Sequence, residues 1–441
     1  MSAAGLLDRA DFERVAEIAL GATSADDVFV ALRARRGGTT RFANNQITQN
    51  VNTQRATLAV SVAFGKRSGR ATTTELTAPA IRDCVARAEA IARVAPDDPE
   101  YLPPLPPQQY PVLPTHRHET AAAGPERLRA GAAIAIDKCD AAQLNAAGII
   151  SAYESVVGLA ANTGLRAFER RTTSEFSLTA TGADSSGWVR NQRRSIDDLD
   201  VETLTDTAIR KAQLSAHPRE IPAGKMRVIL EPAAVCGFVG PLWWSLDARR
   251  YFRQTSAVAG KLGQRIIDSR LSMRNAPHHP ALLGNSFNGF GLPTDSHTWI
   301  EHGVLGRLNY DRFTAKEHGQ PPSYSPDAIL LEGDQPAADS VEELIAQTDR
   351  AVLVTNFWYI RSVNPRDLTH TGMTRDGTFL VEGGAIVAGL VNFRWHESPL
   401  RALNTLEAFT PPGDAITMER PKMLLPALRL GEFNFSSVTK F

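Results

Sequence analysis

The sequence predicts an α+β protein with two mixed α/β domains followed by a larger, β-rich domain. Strand-like runs recur along the chain between isolated amphipathic helices, without the regular βαβ repeat of a parallel sheet. Proline-rich stretches at residues 96–114 and 217–222 divide the chain, because such segments continue neither a helix nor a central strand. The length of 441 residues also exceeds one ordinary domain. We therefore predict domains at residues 1–112, 113–221 and 222–441.

The first predicted domain combines two helices with several strands. Apolar residues recur at helical spacing from Leu6 to Leu20, and again in a helix that begins after Thr77 and ends before Pro96. Runs rich in Val, Thr and Phe predict strands joined by glycine turns. The predicted strands are Asp27–Arg33, Thr39–Val51 and Ala56–Phe64, with turns at Gly37–Gly38 and Gly65–Gly69.

The second predicted domain is an antiparallel meander between two helices, Pro125–Ala141 and Val201–Ser215. The meander strands are predicted at Gly148–Ala161, Leu165–Arg171 and Ser174–Thr181. The third domain reads as short strands with glycine turns, interrupted by helices near Ala233–Arg250 and Ser340–Arg350.

The charge and cysteine content exclude several classes of protein. Basic and acidic residues balance at 48 each, which argues against binding of nucleic acid or of an anionic membrane. The densest basic cluster, Arg190, Arg193 and Arg194, is interpreted as a solvated strand end, with a phosphate site as the alternative. Three scattered cysteines, a charged N-terminus and the lack of a long apolar run predict a cytoplasmic protein without disulfides or a membrane span.

Motifs of common hydrolases and nucleotide-binding proteins are absent from the sequence. The glycine-rich run 284–291 lacks the lysine and helix of a phosphate loop, and no G-x-S-x-G elbow occurs. His118-Glu119 and His396-Glu397 are not followed by a second histidine, so HExxH and HExxxH are both missing. Cys236 lies in an apolar run and is interpreted as buried and inert, with a nucleophile as the alternative. We predict no catalytic residue and no metal site in this chain.

The segment 354–380 has the composition of a peptide-binding strand pair. Three consecutive aromatic residues beside arginines suit a groove that grips an extended chain, and threonines beside glycines permit the close approach of an added strand. A core hairpin with a turn at Arg375–Asp376 is the alternative. The residues predicted to bind substrate are Phe357, Trp358, Tyr359, Arg361, Asn364, Thr374, Arg375 and Asp376.

Several blocks of this sequence resemble the TldD/PmbA family, whose members are often described as modulators of DNA gyrase. The blocks follow the family's order and span residues 20–440. They are RFANNQITQN at 41–50, AANTG at 160–164, SLTATG at 177–182, GKLG at 260–263, WIEHGVL at 299–305, VNP at 363–365 and the run 371–386.

The resemblance implies one subunit of a two-chain peptidase. The catalytic type, TldD, carries HExxxH on a helix early in the third domain and binds zinc, whereas the partner type, TldE or PmbA, lacks the motif. The two types associate and cleave short or unfolded peptides. The corresponding position here, Gly240–Ser245, reads GPLWWS and contains no zinc ligand. The resemblance therefore implies a metal-free subunit that binds peptides and forms a heterodimer with a zinc-bearing, TldD-like paralogue, or a homodimer.

Two other functions stay open at this point. The chain could be an autonomous hydrolase that uses Cys236 or a histidine site other than HExxxH. It could also be a non-enzymatic protein that acts on a nucleic-acid enzyme such as gyrase. The sequence does not decide whether the chain is active without a partner.

Overall fold

A computed structural model describes residues 6–323 and 327–439. The described residues form the predicted α+β fold, and the structure arranges its strands in three sheets. The first sheet is antiparallel throughout and has the strand order β3-β2-β1-β4-β5-β6, so it runs through both of the first two predicted domains. Its strands are β1 Asp27–Ala43, β2 Gln46–Phe64, β3 Arg67–Thr73, β4 Asn145–Ala161, β5 Arg166–Thr181 and β6 Ser186–Arg193.

Helices cover one face of this sheet and leave the other face open. Even-numbered residues of β1, such as Val30 and Leu32, pack in one apolar cluster with two helices, and Ile150 of β4 packs with two more. Because side chains alternate along a strand, the odd-numbered residues of β1 point away from these helices. The helices in this part of the chain are α1 Arg9–Leu20, α2 Ala78–Val94, α3 His118–Ala121, α4 Pro125–Ala141 and α5 Val201–Leu214.

The first hairpin turns at Asn44–Asn45, so the predicted turn at Gly37–Gly38 and the predicted strand Thr39–Val51 are wrong. Both asparagines have positive φ angles, 51° and 56°, which asparagine tolerates better than most residues. Gly37 lies within β1 with a φ of 147°. A Cβ there would lie 2.1 Å from the carbonyl oxygen of Ala152, so the glycine permits close strand approach and not a turn. The two strands of the hairpin are therefore 17 and 19 residues long.

The C-terminal part of the chain contains two sheets, a nine-stranded one and a six-stranded one. Their main core contains Trp299, Trp395, Phe238 and Phe433, all of which are buried. The nine-stranded sheet contains β7 Gly224–Leu230, β12 Arg350–Val354, β13 Phe357–Asn364, β14 Thr369–Thr374, β15 Thr378–Glu382, β16 Ala385–Gly389, β17 Phe393–Glu397, β18 Leu406–Phe409 and β21 Leu428–Val438. The six-stranded sheet contains β8 Leu271–Asn275, β9 His297–Glu301, β10 Val304–Leu305, β11 Ile329–Gly333, β19 Gly413–Ala415 and β20 Met423–Leu425.

The C-terminal helices are short, and the predicted helix Ala233–Arg250 is two helices. The side chain of Asp247 accepts a hydrogen bond from the backbone of Arg250 at 2.8 Å and starts the second of them. The predicted helix Ser340–Arg350 ends at Ala346. The helices are α6 Pro232–Ser245, α7 Ala248–Phe252, α8 Arg312–Glu317, α9 Val341–Ala346 and α10 Pro399–Ala402, with a 3-10 turn at Leu403–Thr405.

One other feature agrees with the sequence prediction. The proline-rich stretch between α2 and α3 forms neither helix nor strand. None of the helices in the described residues is long and apolar enough to cross a bilayer. The strands predicted at Leu165–Arg171 and Ser174–Thr181 form a single strand, β5.

Candidate functional site

A cleft with a volume of about 810 Å³ lies between the open face of the first sheet and the C-terminal part of the chain. The sheet contributes the end of β1, the starts of β2 and β4, the second half of β5 and part of β6. The C-terminal part contributes the start of β13, the loop after β14 and the exposed Met418. The lining residues are Arg41, Phe42, Ala43, Thr48, Gln49, Ala147, Gly148, Ile149, Glu175, Ser177, Thr179, Trp188, Arg190, Asn356, Trp358, Arg375, Asp376 and Met418.

Three residues predicted to bind substrate meet in this cleft: Trp358, Arg375 and Asp376. The guanidinium carbon of Arg375 lies 4.2 Å from the ring centre of Trp358, which is cation–π geometry. Nε of Arg375 lies 3.3 Å from Oδ2 of Asp376, and the Ser186 hydroxyl donates a 2.8 Å hydrogen bond to Oδ1. Burial raises the pKa of Asp376, while the Ser186 hydrogen bond and Arg375 partly offset this effect. The arrangement presents a fixed guanidinium and an indole to the cleft.

Asn356 adds an unused acceptor to the same wall. It lies in the turn between β12 and β13, and the backbone of Arg375 donates a 3.2 Å hydrogen bond to its carbonyl oxygen. Its side-chain oxygen is buried and has no hydrogen-bond partner in the described residues. A buried acceptor without a partner costs free energy unless a ligand or water supplies a donor. Asn356 therefore places an unsatisfied, buried acceptor just behind this wall of the cleft.

The opposite wall carries an ion pair on the first sheet. Nε of Arg190 on β6 lies 3.0 Å from the carboxylate of Glu175 on β5. Arg190 also donates a 2.6 Å hydrogen bond to the backbone oxygen of Thr417, which ties the sheet to the loop that carries Met418. Arg41 lines the cleft as well, is exposed, and has no ion pair with a described acidic residue. Fixed donors thus face the cleft from both walls.

The other five predicted residues do not line the cleft. Phe357 is only 4% exposed and packs against Phe238, Trp395 and Phe433. Thr374 is buried and donates a hydrogen bond to Asn392.

Tyr359, Arg361 and Asn364 lie further along β13. Tyr359 has a φ of 56° and is 51% exposed, because a bulge interrupts the regular alternation of side chains along β13. The guanidinium of Arg361 stacks on Tyr359 and lies 4.0 Å from Glu419. Asn364 donates to Asp367 in the turn that follows.

The helix position that corresponds to the family's zinc motif does not fit a metal ion. The end of α6 carries Gly240, Trp243 and Trp244 and offers no ligand side chain there. The Arg420 side chain occupies this surface: a Cβ on Gly240 would lie 2.8 Å from its Nε, and its guanidinium carbon is 4.8 Å from the Trp244 ring centre. A fixed cation repels a metal ion. Across residues 6–323 and 327–439, no three His, Cys, Asp or Glu side chains lie close enough together to hold one.

Cys236 is not an activated nucleophile. It is fully buried in α6, where its sulfur lies 3.8 Å from the sulfur of Met423. Burial raises the pKa of the thiol to about 12, so the reactive thiolate is not populated near neutral pH.

The basic cluster on β6 is not a solvated strand end, because its three arginines connect parts of the chain. Arg193 pairs with Asp414 of β19, and Arg190 binds Thr417 as described above. Arg194 donates to the backbone oxygens of Thr172 and Gly284, and burial lowers its pKa to about 10. These contacts leave little of the cluster for a phosphate.

Sequence reasoning missed most of the cleft. Arg41, Gln49, Glu175, Trp188, Arg190, Asn356 and Met418 all line it, and they come from five separate stretches of the chain. The sequence signal on this side of the cleft is the strand block at 41–50, which resembles a family signature but does not by itself mark a site. The periodicity of β1 also places Arg41 on the side of the strand that the helices do not cover.

Three family models match the chain and together span most of it. They describe domain 1, the central domain and the C-terminal domain of PmbA/TldA metallopeptidases, and they match residues 28–92, 119–216 and 223–437. The fold is thus the three-part architecture of a metallopeptidase-related protein. The chain belongs to the PmbA/TldD metallopeptidase family. No match was found among curated protein sequences.

Solved structures show the same fold at low sequence identity. TldE from Thermococcus kodakarensis superposes with a TM-score of 0.87 at 18% identity, over 97% of this chain and 100% of that one. A putative modulator of a DNA gyrase from Thermotoga maritima gives 0.84 at 18% identity, over 96% and 99%. A putative modulator of DNA gyrase from Bacteroides thetaiotaomicron gives 0.83 at 17% identity, over 98% and 99%.

Proposed function

We propose that this chain is the metal-free, TldE-type subunit of a two-component metallopeptidase, and that its cleft holds peptide substrates. Hydrolysis in this proposal is carried out by a zinc-bearing, TldD-like paralogue in a heterodimer. The chain itself contributes the wall that positions an extended peptide. A homodimer is the alternative assembly.

The observation that carries this proposal is the Arg420 side chain, which packs against helix α6. The surface of α6 at Gly240 and Trp244 is covered by a guanidinium and carries no ligand side chain. A guanidinium at the position that corresponds to the HExxxH motif disfavours the binding of a zinc ion there. The proposal therefore assigns the metal to the partner.

The composition of the cleft supports a peptide as its occupant. Trp358 supplies an apolar face, and Arg375 and Arg41 supply guanidinium donors for backbone carbonyls or a terminal carboxylate. An extended chain presents these groups at each residue.

The cysteines support action in a reducing compartment, which we propose to be the cytoplasm. Cys84, Cys139 and Cys236 are all free and buried. Disulfides are rare in cytosolic proteins because glutathione keeps thiols reduced.

The test is peptide turnover by the chain mixed with a zinc-bearing paralogue from the same organism. The Arg375→Met variant should raise KM or lower turnover about tenfold or more, because it removes a charge-assisted contact worth about 1.5–3 kcal/mol. Arg361→Met is the matched control, since Arg361 is an exposed arginine outside the cleft. The chain alone should contain clearly less than one zinc per molecule by metal analysis after dialysis.

Two outcomes contradict the proposal. One is stoichiometric zinc in the dialysed chain, together with peptide cleavage in the absence of any partner. The other is normal turnover by Arg375→Met, or equal losses in Arg375→Met and Arg361→Met. Melting curves of both variants are needed, so that turnover is compared per folded molecule.

A further inference from the structure

A row of arginines crosses the open face of the first sheet, away from the cleft described above. Arg35 of β1 lies directly opposite Arg55 of β2 and opposite Ser155 of β4. Ser155 in turn lies opposite Arg171 of β5. Arg33 lies two residues from Arg35 on the same face of β1. Four guanidinium groups therefore share one side of four adjacent strands.

These arginines line a cavity with a volume of about 340 Å³. The loop from Phe287 to Gly289 closes one side of it, and the Phe287 ring packs nearby on Ala31 and Ala59 of the same sheet face. Hydroxyl groups of Thr57 and Ser155 also line the cavity. The site is thus a partly enclosed pocket with donors on its sheet side.

The positive charge of this pocket is only partly neutralised within the described chain. Arg171 pairs with Glu169. Arg33, Arg35 and Arg55 form no ion pair with any described carboxylate, although Arg35 stacks on the Tyr153 ring with its guanidinium carbon 3.3 Å from the ring centre. Like charges directly across two strands, as in Arg35 and Arg55, destabilise a sheet. An anionic ligand would remove this repulsion.

The arginine pocket and the cleft belong to one surface. Arg33, Arg35 and Arg41 are odd-numbered residues of one unbroken pairing between β1 and β4, so their side chains leave the same face. Arg33 and Arg41 are eight residues apart, which corresponds to roughly 27 Å along an extended strand. One extended peptide of about eight residues spans both.

We propose that this pocket binds acidic side chains of an extended peptide, so that acidic peptides are the preferred substrates. This inference rests on the proposed peptide-binding function of the cleft and adds a substrate class to it. Arg33 and Arg35 are two residues apart on β1, so their side chains are separated by about 6.8 Å along the strand. Alternate side chains of a bound extended peptide have the same spacing. Carboxylates at every second position therefore match the arginines.

A phosphate group fits this arrangement less well than a row of carboxylates. A phosphate is bound best where donors converge on one point. Here the arginines spread along β1 and onto two other strands, and the row continues toward the cleft with Arg41. Charge distributed along an extended chain is the complementary pattern.

The test uses two fluorescein-labelled ten-residue peptides, one alternating Glu and Ala and one alternating Gln and Ala. Fluorescence anisotropy with the full chain should give a Kd about tenfold lower for the Glu peptide. Arg35→Gln and Arg55→Gln should each weaken that binding about three- to tenfold and leave the Gln peptide unaffected. Arg82→Gln is the matched control, because Arg82 is an exposed arginine on α2, behind the opposite face of the sheet.

Equal affinity for the two peptides overturns the inference, as does an equal loss in Arg82→Gln and Arg35→Gln. Inorganic tripolyphosphate, added alone, is the second probe. If it binds with the same dependence on Arg35 and Arg55 while the Glu peptide shows no preference, the pocket is a phosphate site and the peptide inference is wrong. Because both arginines are exposed, melting temperatures should stay close to that of the unaltered chain.

The Arg375→Met variant separates this inference from the proposed function. If the Gln peptide binds and Arg375→Met weakens it, while the Glu peptide has no advantage, the cleft proposal stands and the acidic preference fails. If the Glu peptide binds through Arg35 and Arg55 but Arg375→Met changes nothing, the pocket stands and the proposed role of the cleft fails.

Discussion

At buried charged residues of this protein, the cost of desolvation opposes the stabilisation from hydrogen bonds and ion pairs. Asp376 has most of its surface buried at the cleft, with a hydroxyl and one guanidinium as partners. Burial disfavours the charged form more than these two partners favour it, so its pKa is raised. The residue is therefore held at a cost in stability, which is typical of positions kept for binding.

Replacing Asp376 with Asn should remove this cost. Above the ordinary pKa of 3.8, the folded protein holds the Asp376 proton more tightly than the unfolded chain does. The free energy of unfolding must then fall as pH rises through the window between the two pKa values. Relative to Asp376→Asn, the unaltered protein should lose stability as pH is raised above the ordinary aspartate pKa of 3.8.

Urea unfolding at several pH values measures this difference. Asp137→Asn on the exposed side of α4 is the control for loss of one negative charge. If the free energy of unfolding of the unaltered protein, relative to that of Asp376→Asn, stays constant or increases as pH rises, Asp376 is not destabilised by burial.

At the scale of single elements, the helices were predicted best where local signals and packing agree. Helix α4 begins and ends at the predicted residues, Pro125 and Ala141, because proline at the first position and a regular apolar stripe define it. The long hairpin was predicted worst. Gly37 had the appearance of a turn residue, but its purpose is the close approach of β4, a contact with a residue more than 100 positions away. No local pattern contains that information.

Glycines at helix–strand contacts have the same role, and Gly187 offers a test. It lies in β6 beneath α5, where a Cβ would lie 2.1 Å from the carbonyl oxygen of Ala208 and 2.6 Å from the nitrogen of Ala212. Gly187→Ala must therefore push α5 away from the sheet, and we expect a loss of about 1–3 kcal/mol in the free energy of unfolding.

The same substitution at Gly306 provides the comparison, because its nearest neighbour, the oxygen of Trp299, is 3.9 Å away. Urea denaturation of the two variants compares them directly. Equal stability of Gly187→Ala and Gly306→Ala would mean that α5 does not pack on β6 as closely as described.

At the scale of the whole molecule, the cleft exists only because distant parts of the chain meet. Its lining extends from Arg41 to Met418, and each stretch contributes only a few residues. Sequence reasoning predicted the strand pair that carries Trp358 and Arg375 because its composition is local. It could not predict the sheet side of the cleft, since the register of β1 against β4 determines which residues share a face. The family resemblance supplied the fold but not these contacts.

One buried ion cluster joins the first sheet to the C-terminal part and makes a last prediction possible. Lys422 is 2% exposed, lies 2.7 Å from Asp414 and donates a 2.9 Å hydrogen bond to the backbone oxygen of Gln192 on β6. Arg193 of β6 pairs with the same aspartate. Burial lowers the pKa of Lys422 from 10.5 to about 8.

Between these two pKa values the unfolded chain binds more protons at Lys422 than the folded protein does, so the free energy of unfolding rises with pH in this window. Lys422→Met does not titrate. The stability of the unaltered protein relative to this variant should therefore increase from about pH 8 to about pH 10, by an amount on the order of 1–3 kcal/mol. Lys138→Met is the control, because Lys138 pairs with Asp206 at the surface and its pKa is raised, which moves its titration above this range. Urea unfolding of the unaltered protein, Lys422→Met and Lys138→Met at several pH values between about 8 and about 10 tests this prediction. If the free energy of unfolding of the unaltered protein, relative to that of Lys422→Met, stays constant or decreases as pH rises, Lys422 is not held in a buried contact between the two parts. The C-terminal segment then does not pack against β6 as the structure shows.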